Sequence, residues 1–361
     1  MTAKLLMTQD EIERHPDEWA EYRESGIGAS EMAVLLGIAP RSYGNPYALY
    51  VEKTTGKRVR GDDEEDEMAR GKALEPYVAS RLAAKRPNLL VLPGGLYRHP
   101  DNPWMTATFD RLAVDWEAAG YSSPEVVREM TRYQSPFTWP QLAGHIIPAE
   151  LKTAITKDGW GEPGSEDIPR QYRPQALWQM AISGAPRVLV PVQFMTPWRT
   201  EVYEVHRTED AELDIAFMIK EAQEFLERLD RHDPPPIDWS PETSAALRTL
   251  YPMEPETVYQ CTPAQARALR RAYLRKEAAK ERYGLLMNKL VGRSKGAHRV
   301  VTADPERPGK TVNVLNRVKT TMHTVNVEAL RDQEPDTAKR FERETPVEYH
   351  KIGSRWVKLD G

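Results

Sequence analysis

The stretch that most constrains this chain is residues 145–154, HIIPAELKTA. An apolar run ends in a proline, and Glu150 and Lys152 then follow two positions apart. Side chains on a β-strand alternate faces, so these two charges point the same way while Leu151 turns into the core. An ordinary reading is a same-face ion pair on an edge strand, which contributes little stability. The alternative is a strand that ends in a chemical site, and it requires further carboxylates from elsewhere in the chain.

Those carboxylates are present. GKALEPYVASRLAAK reads as a helix in which Glu75 sits past the acidic run Asp62–Glu67 and can face inward. The acidic run itself favours a helix start through the dipole and reads as solvated. LLVLPGGLYRH and WMTATFDRLAVDW read as two strands with Pro-Gly-Gly as the turn, and Asp110 interrupts the apolar pattern of the second. Residues 117–147 lack periodicity and read as an insertion or long loop, with one short helix near Pro124–Thr131. After Glu150 and Lys152 comes a helix opening near Pro174 and carrying Gln175 and Gln179, with Tyr172 just before it. RVLVPVQFM and WRTEVYEVHR form a hairpin pattern. Residues 208–230 form an amphipathic helix with Leu213, Met218, Ala222, Phe225 and Leu229 on one stripe.

Upstream, Gly26 and Gly28 bracket a turn, and Ser30 stands at a helix N-cap before EMAVLLG, with Gly37 as the stop. Free backbone N–H groups at such a start favour an anion, and Arg23 lies one loop earlier.

Acids from different elements around one point suit phosphodiester hydrolysis. Carboxylates hold Mg²⁺, a hard cation that prefers oxygen ligands and keeps several waters. Such a cation lowers the pKa of an attacking water, and a nearby lysine stabilises developing charge. The composition agrees with an enzyme rather than a nucleic-acid coat protein, because the net charge is −4. A single cysteine, Cys261, excludes a disulfide framework and a cysteine-held metal cluster. The start of the chain has no signal-peptide layout, and no stretch is long and apolar enough for a bilayer. A cytoplasmic location is expected, in a host cell if the gene is phage-borne.

The stations in order resemble the lambda exonuclease/YqaJ-type viral recombinase family, a branch of the PD-(D/E)xK nuclease superfamily. They are Trp19-x-x-x-Arg23 with GIGASE, Gly71-x-x-x-Glu75, the TATFD run ending at Asp110, Glu150-Leu151-Lys152, and Tyr172-x-x-Gln175 with Met180. The resemblance implies an α/β fold with a restriction-endonuclease-like core: a central mixed sheet flanked by helices, followed by a smaller α/β C-terminal region. It implies Mg²⁺, with Mn²⁺ as an alternative, held by Asp110, Glu150 and the Leu151 carbonyl, with Glu75 at a second metal or its waters. It makes Lys152 and Gln175 catalytic, and it puts Arg23, Ser30 and Tyr172 on the 5′ phosphate and DNA. The implied activity is 5′→3′ digestion of double-stranded DNA ends, leaving 3′ tails for a single-strand annealing recombinase. The family also forms toroidal trimers. The departures are Phe109 where the superfamily name has proline, and forty residues between Asp110 and Glu150. The rival functions are an endonuclease on the same core and a non-catalytic DNA-binding scaffold.

The expected organisation is a nuclease domain at 1–235, a proline-containing linker at 236–261 and a C-terminal region at 262–361. That region opens with a capping box, Thr262 to Gln265, on a helix where residues 262–299 carry eleven Lys and Arg against two Glu. Its remaining strands are expected in KTVNVLNRVKTTMHTVNV and TPVEYHKIGSRWVKL.

Overall fold

The computed structural model describes residues 3–40, 43–57, 59, 62–132, 134–254, 256–319 and 331–341, with the backbone alone at 62–68, 337–338 and 341. The chain divides into two units, 1–254 and 255–361.

In the first unit, β1 (Lys4–Thr8), α1 (Gln9–Arg14) and α2 (Pro16–Glu24) lead to a short strand β2 (Ile27–Gly28) and helices α3 (Met32–Leu35), α4 (Pro46–Thr55) and α5 (Asp62–Lys85). The long strands β3 (Leu89–Arg98) and β4 (Met105–Asp115) follow, then α6 (Pro124–Met130), β5 (Ile146–Ala149), β6 (Lys152–Ala154) and α7 (Arg173–Ser183). The unit closes with β7 (Arg187–Met195), β8 (Trp198–His206), α8 (Glu209–Arg231) and α9 (Pro241–Leu250). One mixed sheet runs β1-β3-β4-β5-β7-β6, with β2 on β4 and β8 on β7. The expected mixed α/β core is therefore what the chain forms.

Alternation along the strands divides the core. Leu112, Val114, Val188, Val190 and Val192 face α7, α8, α3 and α4, whereas Ala113, Ile147 and Leu189 meet Leu82 of α5 on the other face. Helices on both faces leave the sheet's strand ends as the open place for chemistry.

The register explains the forty-residue gap. β4 pairs antiparallel with β5 at Arg111–Ala149 and Leu112–Pro148. One further step along that register sets Asp110 opposite Glu150. β5 and β6 keep one register on β7, Ala149–Leu189 and Lys152–Val192, so they are two halves of a strand interrupted at Glu150–Leu151. The connection between the adjacent antiparallel strands β4 and β5 is residues 116–145, since Ile146 and Ile147 of the expected insertion already belong to β5. It is also part of the core: Val127, Phe137 and Leu142 are buried, and the Phe137 ring lies 5.3 Å from Tyr97.

Four expectations are corrected. Pro93-Gly94-Gly95 is not a turn, because β3 runs through it. The glycines are required by close approach, since a Cβ at Gly94 would lie 1.7 Å from the Phe109 carbonyl oxygen. Ser30 does not cap a helix. It sits exposed in a single 3₁₀ turn, Ala29–Glu31, and Glu31 is the N-cap residue of the four-residue α3. Leu213 faces solvent, and the buried stripe of α8 is Ala211, Ile215, Met218, Ala222 and Phe225. The stripe advances by alternating steps of four and three, and Leu213 lies on the opposite side of that progression.

The fourth correction concerns the linker. Residues 241–250 form α9, which is fixed to α4. The Asn45 side chain accepts from the Ala48 N–H at the start of α4 while its amide donates to Ser240 and Thr243, both at 2.7 Å. The prolines at 234–236 stiffen the approach to this packed helix rather than to a free linker.

The second unit holds α10 (Pro263–Arg293), the hairpin β9 (Arg299–Ala303) and β10 (Thr311–Asn316), and α11 (Pro335–Phe341). The Thr262–Gln265 capping box is present, with Pro263 at the first helical position. The strands expected beyond residue 341 lie outside the described residues, as do 320–330. Among the described residues no helix is long and apolar enough to cross a membrane.

Candidate active site

The interrupted strand β5–β6 creates the site. At Leu151 the backbone N–H leaves the ladder and donates to Asp110 Oδ2 at 2.7 Å. The break thus locks the β4 carboxylate against the Glu150 turn. Lys152 Nζ donates to Glu150 Oε1 at 2.6 Å and to Gln175 Oε1 at 3.1 Å. Gln175 Nε2 returns to Glu150 Oε1 at 2.6 Å. The three side chains close a ring across the strand and α7. Tyr172 supplies the wall, its ring centroid 4.9 Å from Lys152 Nζ.

Gln179, one helical turn beyond Gln175, completes the arrangement. It is wholly buried, and its Nε2 donates to Glu150 Oε2 at 2.5 Å. Glu150 thereby has donors on both oxygens. Sequence reading noted Gln179 on the helix but did not assign it to the site. The i, i+4 spacing from Gln175 was the available signal.

The electrostatics are those of an anion-rich floor. Burial pushes the Asp110 carboxyl well above the usual carboxylate range, and the neighbouring Glu150 and Glu75 charges add to the effect. Burial works against the ammonium of Lys152, but Glu150 and Asp110 outweigh it and hold that group charged, above its ordinary range. Glu75 faces the same cleft, and its Oε1 accepts from Arg111 Nη1 at 2.5 Å.

This set fits a hard divalent cation. A positive ion between Asp110 and Glu150 would offset the burial and the neighbouring charges that raise Asp110, and the Leu151 carbonyl would be the neutral oxygen beside it. Among the described residues no group of three or more His, Cys, Asp and Glu side chains converges on one metal position. The protein could therefore supply two carboxylates and a carbonyl, leaving the other positions to water, as suits magnesium better than zinc. Gln179 Oε1, buried with no partner among the described residues, is a further oxygen at the same wall.

An open cleft of about 800 Å³ joins this floor to Arg23, Ser30, Tyr172, Arg70 and Lys72. All the sequence-predicted site residues line this one cleft. Arg70 and Lys72 were missed, since single cations on a helix carry no distinguishing pattern. Arg23 is already engaged. It lies 4.9 Å from the Trp19 ring centroid and donates to Glu31 Oε1 at 2.9 Å. Glu31 is buried and also accepts from Lys53 Nζ at 2.8 Å and the Gly28 N–H at 2.8 Å. One of the backbone donors expected to be open to an anion is therefore taken by Glu31. Trp19 Nε1 donates to Thr108 Oγ1 at 3.0 Å, which ties the Arg23 helix to the strand that carries Asp110. Asp115, the other acid of β4, lies at the far end of the strand and accepts from the Ala118 N–H.

Comparison with known proteins follows the same segment. Residues 18–186 match the family model of the YqaJ-like viral recombinase domain, so the resemblance read from the sequence is borne out. The chain is 22% identical over 347 residues to the uncharacterized protein YqaJ of Bacillus subtilis (strain 168), covering 95% of each chain. Among solved structures, an alkaline exonuclease from Laribacter hongkongensis aligns with a TM-score of 0.42 and 20% identity, over 60% of this chain and 94% of that one. The structure of the same exonuclease in complex with dAMP aligns with a TM-score of 0.42 and 19% identity, with the same coverage.

Proposed function

We propose that this chain, with its match to the YqaJ-like viral recombinase domain, is a metal-dependent nuclease that digests double-stranded DNA ends in the 5′→3′ direction. The observation that carries the reading is the cross-strand meeting of Asp110 and Glu150 with Lys152 bonded beside them. The match over residues 18–186 supports the nuclease class.

In this reading Asp110, Glu150 and the Leu151 carbonyl hold Mg²⁺ or Mn²⁺, with Glu75 near its waters. The bound cation supplies a water of lowered pKa and charge for the leaving oxygen. Lys152, held as an ammonium, is a donor rather than a proton acceptor. It orients the attacking water and stabilises charge on the phosphate. Gln175 positions the same water, and Gln179 fixes the Glu150 carboxylate. Arg23 and Ser30 take the 5′ phosphate, with Arg23 exchanging part of its contact to Glu31 for the substrate, and Tyr172 lies along the DNA. The 3′ tails left behind would serve a single-strand annealing recombinase, and a toroidal trimer would keep the enzyme on its duplex.

The test is digestion of a linear duplex with 5′ phosphates and of a covalently closed circle, by wild type and Lys152→Ala, with Mg²⁺ and with EDTA. Loss of the linear DNA alone, with single-stranded product, dependent on metal and on Lys152, is expected. Cutting of the circle would make the protein an endonuclease. Binding without cleavage of either DNA would leave a non-catalytic scaffold.

A further inference from the structure

The active cleft accounts for the first unit, but α10 in the second carries a separate pattern. This helix is 31 residues long and buries none of them. It holds nine Lys and Arg against two Glu in a chain of net charge −4. The cations are not spread evenly. Arg267, Arg271, Arg275, Arg282, Lys289 and Arg293 follow steps of four and seven. At 3.6 residues per turn they fall within an arc of about 80°. Glu277 and Glu281 fall outside that arc. All six cations are exposed, whereas the half-buried positions Tyr273, Glu277, Gly284 and Val291 lie roughly on the opposite side.

A solvated helix face usually interleaves its charges, and α8 does so. Arg228 pairs with Glu224, and Arg231 with Glu227, each at i, i+4. On α10 none of the six stripe cations is ion-paired among the described residues. Six unpaired like charges on one arc repel one another and oppose the helix unless an anionic partner covers them. The stripe spans 27 residues, a rise of about 39 Å, slightly more than one turn of B-form DNA. Five of its six members are arginine, whose planar fork fits phosphate oxygens.

We infer that the α10 stripe is a second nucleic-acid contact, gripping the phosphate backbone of duplex DNA without reading its sequence. The choice of DNA over another polyanion rests on the nuclease reading of the cleft. The stripe itself stands on α10 alone.

The experiment uses the full chain carrying Lys152→Ala, so that the probe is not cut, and a labelled linear duplex of roughly 40 base pairs. Affinity is measured between about 50 and 200 mM salt, with and without Arg271→Gln, Arg275→Gln and Arg282→Gln together. Each lost phosphate contact lowers the salt slope by about 0.9, so the triple variant should fall by about 2.7. Over that salt range the parent then loses about 40-fold more affinity than the variant. The matching triple Arg→Lys variant should keep the slope, and circular dichroism should show α10 intact in both. An unchanged slope in the glutamine variant overturns the inference. Equal loss in the lysine variant does so too, because the effect would not be one of charge. Stripe-dependent binding to phosphatidylserine vesicles with DNA affinity unaltered would assign the stripe to lipid and likewise overturn it. Parallel cleavage by the chain with native Lys152 separates the two readings. No cleavage with stripe-dependent DNA binding overturns the nuclease and leaves the stripe, and cleavage with stripe-independent binding does the reverse.

Discussion

Glu31→Gln should destabilise the first unit by about 3 kcal/mol, the lower end of the range for removing one member of a buried ion pair. Glu31 is buried, with Lys53 Nζ at 2.8 Å and Arg23 Nη2 at 2.9 Å. The Lys53 side chain is 4% exposed and has no route to water when its carboxylate is gone. Two carbonyls remain for it, those of Arg23 and Gly26. Arg23, at 19% exposed, can turn outward, and this keeps the cost from the upper end of the range. Burial works to raise the Glu31 pKa, but Lys53 and then Arg23 outweigh it and hold the carboxyl below its usual range. Lys53 is also held below its ordinary range, by burial, so the cluster favours the carboxylate more than the ammonium. A lowered carboxyl contributes stability above its unfolded pKa of about 4.3 and loses it as pH falls through the folded value. The gap between wild type and variant should therefore close in acid. The assay is urea unfolding followed by tryptophan fluorescence, since eight of the nine tryptophans lie in residues 1–254. A midpoint lower by about 1 M or more is expected. A double-mutant cycle with Lys53→Met should give a coupling of about 2 kcal/mol. A loss below about 1 kcal/mol at neutral pH, or a gap that widens in acid, would refute the argument.

Gly94→Ala should cost about 4 kcal/mol or more, because its Cβ would collide with backbone at Phe109 and displace the strand beside Asp110. Thermal unfolding and DNA cleavage should fail together. Burial pushes the Tyr97 phenol up to about 12, so its stabilising effect is complete below about pH 10 and is lost as pH rises toward 12. The loss should reach about 2–3 kcal/mol at the top of that window and be absent in Tyr97→Phe, as measured by urea unfolding at stepped pH. Gln179→Leu leaves Glu150 Oε2 without its donor, which should cost about 2 kcal/mol in thermal unfolding and reduce kcat in a cleavage assay more than duplex affinity.

Part of the candidate site's geometry was legible because it is written locally. Period-two alternation alone puts Glu150 and Lys152 on one face, and their side chains meet at 2.6 Å. Asp110 stood out by interrupting an apolar strand, and Gln175 by its place at the start of a helix. The capping box at Thr262 and the amphipathic pattern of α8 were equally local, although Leu213 was put on the wrong face. Ser30 misled locally: it carries cap chemistry, yet α3 begins two residues later with Glu31 as its N-cap residue. Other misreadings arose where a neighbour remote in sequence decided the outcome. Pro-Gly-Gly carries turn chemistry, yet the approach of Phe109 makes it strand. The stretch at 236–250 resembles a linker until Asn45 anchors it.

By itself the sequence determined which groups this protein brings to its site, because residue type and strand or helix period are properties of the chain alone. Only the tertiary structure decided how they meet. The antiparallel register of β4 on β5 carries Asp110 across forty residues to face Glu150, and the broken ladder at Leu151 holds it there. Pairing register is a property of two strands together and of what their faces bury, so neither strand's sequence contains it.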